Sequence, residues 1–174
     1  MNQKQATVRR NKAQERAIQL RKEMWPDVSD ADFWSRNKHN GWTTIPRTMP
    51  ILMSIINDLS KNEPCGQTYF ALWCRSFDEP LLIVENPMPF AAESGFGGQR
   101  ALSTWQKRMK ILKELGFIDS REGSSGAFHY VLIFNPHIVV QRIREKIQDH
   151  RYMQLLERAI DVGAADLQPK SAAE

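Results

Sequence analysis

Cysteine is scarce in this 174-residue chain: Cys65 and Cys74 have no paired spacing and no histidine cluster beside them. This excludes a disulfide scaffold and a recognisable zinc site, and no metal or other cofactor is expected. No apolar run approaches the ~18 residues that span a bilayer, and the first residues lack the apolar stretch of a signal peptide. The chain therefore reads as cytoplasmic with no membrane partner. Also missing are a nucleophile with a matched base, a carboxylate pair and a metal cluster. Gly95-Phe96-Gly97-Gly98 precedes a helical stretch, but no P-loop lysine follows it. No catalytic residue is assigned, and an enzyme is not expected.

What is present suits one globular body with appended segments, since apolar residues make up 41% and charged residues 25%. The net charge of +4 is unevenly spread. Residues 1–24 hold seven Lys or Arg against two Glu, and residues 97–121 hold six against two. Between them, residues 51–96 hold two against six. Two basic blocks flanking an acidic one make the electrostatic footprint of a nucleic-acid binder, although a basic face can also be simple solvation.

The expected organisation is a basic arm or helix over 1–25, a connector with a short helix over 26–47, and a compact domain over 48–136. A C-terminal helix over 137–162 and a disordered tail over 163–174 complete it. Pro26 stops the arm, and Ser29 with Asp32 has the spacing of a capping box opening a short segment whose Phe33 and Trp34 pack on the body. Met49, Leu52, Met53, Ile56 and Leu59 are spaced as a helix. A second helix covers 67–77, with Phe70, Leu72, Trp73 and Phe77 apolar on most sides, and Leu81 to Val84 reads as a strand.

The most informative stretch follows. A short helix at 90–94 is stopped by the glycine-rich turn at 95–98, and a long helix covers 99–115. Leu102, Trp105, Met109, Leu112 and Leu115 form one apolar stripe along it. The other side carries Arg100, Ser103, Thr104, Lys107 and Lys110, with Gln99, Arg108 and Lys113 at its margins, all base-edge or phosphate donors. Gly116 caps the helix, and Gly123-Ser124-Ser125-Gly126 joins the two halves of a β-hairpin. His129, alternating with the hairpin's apolar residues, reads as a surface or packed histidine.

Helix, strand, helix, turn, helix and hairpin in this order, with the Leu115-Gly116-Phe117-Ile118 hinge, resemble the winged helix-turn-helix family over residues 67–134. The implied fold is mainly α with a small β-hairpin, a winged helix-turn-helix core with N- and C-terminal helical extensions. The resemblance implies that the 99–115 helix enters the major groove of double-stranded DNA. Arg100 would pair with guanine, Ser103 and Thr104 would contact bases, and Lys107, Lys110 and Arg121 would contact phosphates. Ser124 and Ser125 sit on or beside the wing. The glycine-rich turn leaves the starting register of the helix open by a residue or two.

After Asn135-Pro136, the last helix carries two apolar stripes, Ile138, Val139, Ile143 and Ile147, then Tyr152, Leu155, Leu156, Ala159 and Ile160. The stripe shifts at 148–151, so either the helix bends there or its distal half faces a different surface, whether a second copy of the chain as a homodimer or residues 49–59 on folding back.

The leading expectation is a bacterial or mobile-element DNA-binding protein, nucleoid or plasmid associated, serving transcription regulation or plasmid replication and maintenance. Arg9, Arg10, Lys12 and Arg16 on the arm add nonspecific contacts. The alternative is a protein-interaction subunit that uses the winged helix as a docking module. Single-stranded nucleic acid ranks lower, because most Trp and Phe residues fall on expected core stripes.

Overall fold

The computed structural model describes residues 3–77 and 79–167, and the chain divides into two compact units, Met1–Trp42 and Thr43–Glu174. In the first, α1 spans Gln3–Met24. It is rich in Ala, Gln, Lys, Arg and Glu, which hold a helix by propensity, and its described side chains form no buried stripe: Val8, Ile18, Leu20 and Met24 are all exposed. It ends before Pro26 as expected. Ser29 then forms the capping box, its Oγ accepting from Ala31 N–H at 3.2 Å and its own N–H donating to the Asp32 carboxylate at 3.1 Å. Phe33 and Trp34, expected to be buried, are exposed.

The second unit holds α2 (Met49–Leu59), α3 (Gly66–Arg75), β1 (Leu81–Ile83), α4 (Pro87–Glu93), α5 (Ala101–Glu114), β2 (Ile118–Gly123), β3 (Gly126–Ile133), α6 (Pro136–Arg142) and α7 (Asp149–Val162). The protein is thus mainly helical with a small antiparallel sheet of order β1-β3-β2. Leu82 stands opposite Val131, and Ser120 stands opposite Val131 from the other side. The helices pack on the inner face of this sheet. Leu52, Ile55 and Ile56 of α2, Tyr69 and Leu72 of α3, and Trp105, Met109 and Leu112 of α5 close around Phe117, Ile118 and Val131. Aromatic edges knit the centre, with ring centroids 5.3 Å apart for Tyr69 and Phe117 and 5.9 Å for Trp105 and Phe128.

Three expectations are corrected. The second helix ends at Arg75, because Ser76 turns to extended backbone, and Phe77 is left exposed. The single C-terminal helix is two: α6 stops at Arg142, and a 3-10 turn over Arg144–Lys146 carries the chain into α7. Arg144 fixes the break by donating to the Ile147 carbonyl at 2.9 Å, pairing with Asp149 and lying 4.3 Å over the Tyr152 ring. Beyond it α7 folds back on α2, burying Leu155 and Ala159, with Arg151 Nε 2.7 Å from Asp58. A dimer through this helix would rest on Met153 and Ile160, which stay exposed.

The third correction concerns the tail. Left-handed Gly163 (φ 72°) turns the chain back, and Leu167 is buried in the core. Residues 168–174 of the expected disordered tail lie outside the described residues.

Candidate nucleic-acid interface

The turn before α5 uses Gly95 and Gly98 at φ 86° and 73°, a region that suits glycine. The helix itself starts at Ala101, two residues later than expected, so Arg100 is its N-cap and Gln99 precedes it. Ala101, Trp105, Met109 and Leu112 point inward and are buried. Ser103, Gln106, Lys107, Lys110 and Lys113 are exposed on the opposite side, with Gln99 and Arg100 exposed ahead of them and Thr104 half-buried on the flank. Ser103 Oγ donates to the Arg100 carbonyl at 3.0 Å, leaving its lone pairs outward. Gln106 was missed by the sequence reading, although its spacing from Ser103 and Lys110 is that of neighbours on one helix face.

Arg108 does not belong to this face. Its side chain is only 12% exposed, with Nη1 3.2 Å from Glu63 and its guanidinium carbon 5.9 Å from the centre of the Phe96 ring. It sits on the inner flank of α5, facing the turn after α2, and its buried Nε has no hydrogen-bond partner among the described residues. Lys107, on the outer side, also pairs with Glu63. The Lys107 hydrogen bond and the two positive charges hold the Glu63 carboxyl below its usual range. Glu63 therefore opposes two of the cations that the sequence assigned to DNA.

In the hairpin, Arg121 is exposed, with Nη1 3.4 Å from Asp119. Lys113 bridges the end of α5 to β2, its Nζ 3.0 Å from Asp119 and donating to the Ser120 carbonyl at 2.9 Å. The hydrogen bond from Lys113 to the Asp119 carboxylate is the main cause of that group's lowered pKa. Ser124 lies at the tip. Ser125 is not an outward contact: its Oγ donates to the Val84 carbonyl and lies 2.9 Å from His129 Nδ1, pinning the tip beside β1. His129 is a packed histidine, and its ring fills the space above Gly123, where a Cβ would come 2.3 Å from the ring's Cδ2. The open groove between α5 and the hairpin is lined by Gln106, Lys107, Lys110 and Lys113 on one side and by Ser120, Glu122 and Phe128 on the other.

On α1, Lys12 and Arg16 are exposed. The side chains of Arg9 and Arg10 lie outside the described residues.

One constellation, buried at Thr48 and His137 and exposed at Asn135 and Asp166, escaped the sequence reading because its members are far apart in the chain. Thr48 Oγ1 is 2.7 Å from His137 Nε2, and His137 Nδ1 is 2.8 Å from Asp166 Oδ2. Asn135 donates to the same carboxylate oxygen at 3.0 Å. Partial burial works against the Asp166 charge, but the bonds from Asn135 and His137 outweigh it and hold the carboxyl below its usual range. The order hydroxyl, imidazole, carboxylate is that of an acyl-transfer triad. Yet Thr48 is 1% exposed and does not line the neighbouring cavity beside Trp73, His137 and Asp166. The group works as a staple joining the start of α2, the start of α6 and the C-terminal turn.

Compared with family models, curated proteins and solved structures, the chain matches none. Among the described residues, no helix is long and apolar enough to cross a membrane.

Proposed function

We propose that the protein binds double-stranded DNA, with α5 in the major groove and the β2–β3 hairpin against the backbone, on a winged helix-turn-helix core formed from α3, β1, α4, α5, β2 and β3. Supporting this core are the element order and the sheet order β1-β3-β2, in which the first strand joins the hairpin through β3. The observation that carries the function is the division of α5. Trp105, Met109 and Leu112 are buried, whereas Arg100, Ser103, Gln106, Lys107 and Lys110 are exposed and continue past the groove to Arg121.

Arg100 makes the bidentate contact to guanine in this reading, and Gln106 has the amide that pairs with adenine. Ser103 and Thr104 reach other base edges. Lys107, Lys110 and Arg121 take phosphates, with Lys12 and Arg16 adding sequence-independent contacts.

The test is fluorescence anisotropy on a random duplex at two salt concentrations, with Arg100→Ala/Lys107→Ala as the comparison. Duplex binding that weakens steeply with salt and fails in the double variant is expected. Salt-insensitive binding, or binding that the double variant leaves intact, refutes the reading.

A second reading, an interaction subunit, is favoured by one feature. Leu81 opposite Leu132 and Ile83 opposite Tyr130 make an exposed apolar row on the outer face of the sheet. Under it, Leu81→Ser/Ile83→Ser abolishes complex formation while the α5 double variant does not.

A further inference from the structure

Three tryptophans of the N-terminal unit lie off the core stripes on which most Trp and Phe residues fall. Trp105 is buried and Trp73 half-buried, but Trp25, Trp34 and Trp42 are 57%, 61% and 44% exposed. Residues 1–42 hold nine Lys or Arg against five Asp or Glu. Exposed indoles in a basic unit are the pairing that single-stranded nucleic acid requires, since each unpaired base offers a π-face and each linkage a negative charge.

The geometry between Trp34 and His39 makes a defined platform. Lys38 and His39 N–H both donate to the Ser35 carbonyl, at 3.0 and 2.9 Å. His39 Nδ1 lies 3.0 Å from the Ser35 nitrogen and 2.9 Å from the Ser35 carbonyl oxygen, so the ring sits back against the turn. The turn lays the imidazole against the Trp34 indole, with centroids 5.9 Å apart and planes 22° from parallel. His39 lies offset beside one indole face, and the 61% exposure of Trp34 leaves surface on which a base can stack. Arg36 and Lys38 project from the same turn, exposed, and neither pairs with a carboxylate among the described residues. A surface built for a protein partner would be depleted in lysine at its centre.

We propose that this turn, with Trp34 as stacking platform and Arg36 and Lys38 as phosphate contacts, binds single-stranded nucleic acid independently of α5. Duplex is a poor ligand here, because its bases are already stacked on one another.

The experiment uses the full chain and a labelled oligothymidylate of about 15 nucleotides, a length on the scale of single-strand sites. A duplex of equal length is titrated in parallel, and both anisotropy and tryptophan fluorescence are followed. The oligothymidylate should quench fluorescence and bind. Trp34→Ala should weaken it by about tenfold or more, the loss expected for one stacked base. Trp34→Phe, which keeps an aromatic face, should recover most of that loss. Arg36→Ala/Lys38→Ala should lower the slope of log affinity against log salt by about 1.4, two phosphates on a single strand. Duplex affinity should be unchanged by all three variants, whereas Arg100→Ala/Lys107→Ala should leave the single strand unaffected. Absence of oligothymidylate binding at low salt, wild-type affinity in Trp34→Ala, no recovery in Trp34→Phe, or equal loss on duplex would each overturn the proposal.

Discussion

Lys107 and Lys110 sit one turn apart on the outer face of α5, and the structure gives them different electrostatic states. Lys107 is paired with Glu63, whereas Lys110 is exposed with no ion-pair partner among the described residues. A lysine that meets a phosphate releases condensed counterions, contributing about 0.9 to the slope of log affinity against log salt. Between 50 and 200 mM salt, Lys110→Ala should therefore cost about 3.5-fold more affinity at the low concentration than at the high one. Lys107 already has a counter-charge, so its move to a phosphate exchanges one anion for another. Lys107→Ala should change the slope by clearly less than about 0.9 per phosphate. Glu63→Gln then separates the two contributions. It should raise duplex affinity and salt dependence by releasing Lys107, and it should lower thermal stability by stripping the nearly buried Arg108 of its anion. Anisotropy titrations over a series of salt concentrations, with melting curves for each variant, measure both effects. An unchanged slope in Lys110→Ala, or a larger change for Lys107→Ala than for Lys110→Ala, would refute this account of the α5 face.

Three further outcomes follow from packing and linkage. Gly123→Ala should destabilise the second unit by ~1–3 kcal/mol, because the new methyl lands on the His129 ring, and His129→Ala in the same chain should recover most of the loss in thermal melts. Leu155→Ala should cost ~2–5 kcal/mol, as a buried leucine at the α7–α2 contact; since that contact lies within one chain, the melting temperature should not depend on protein concentration, and a dependence would argue that α7 meets a second copy. The folded-state pKa of Asp166 is lowered, so its stabilisation is complete above the ordinary aspartate range and is lost as pH falls through the lower folded value. Melting curves from about pH 6 down to about 2.5, spanning the ordinary aspartate pKa, should converge for wild type and Asp166→Asn at the acid end, and a constant gap would exclude this linkage.

The α5 stripe was legible because a 3.6-residue period is imposed by the core on whatever helix packs there, and the hinge at Gly116 was legible because the chain must reverse there in the left-handed region. Periodicity says less about a flank. Arg108 sits between the two faces, and whether its guanidinium turns outward or inward is decided by Glu63, a residue from another turn of the chain. The same limit hid the Thr48–His137–Asp166 staple and the bond from Ser125 to the Val84 carbonyl, since nothing local marks a partner tens of residues away. The aromatics of the N-terminal unit failed differently. Hydrophobicity placed Phe33 and Trp34 on the body by residue type, yet neither lies on a periodic stripe, and an aromatic without a stripe has no core face to occupy.

The two proposed surfaces make opposite demands on nucleic acid, and a ligand that satisfies both distinguishes them from either alone. The α5 face needs an intact groove, and its stiffness suits a rigid duplex, since the helix is anchored by a buried stripe and the hairpin tip is tied to β1 through Ser125. The Trp34 platform needs bases that are not paired. A duplex carrying a single-stranded arm offers both on one molecule, so the second contact forms at the effective concentration set by the first, and affinity rises by a factor on the order of 10² or more where the geometry lets both engage. The wild-type chain should therefore bind a forked duplex more tightly than either the duplex or the single strand at equal salt, and Trp34→Ala should reduce fork binding to the duplex level without falling below it. Equal affinity for fork and duplex in the wild type would mean that the two surfaces do not act on one nucleic acid, even if each binds its own ligand.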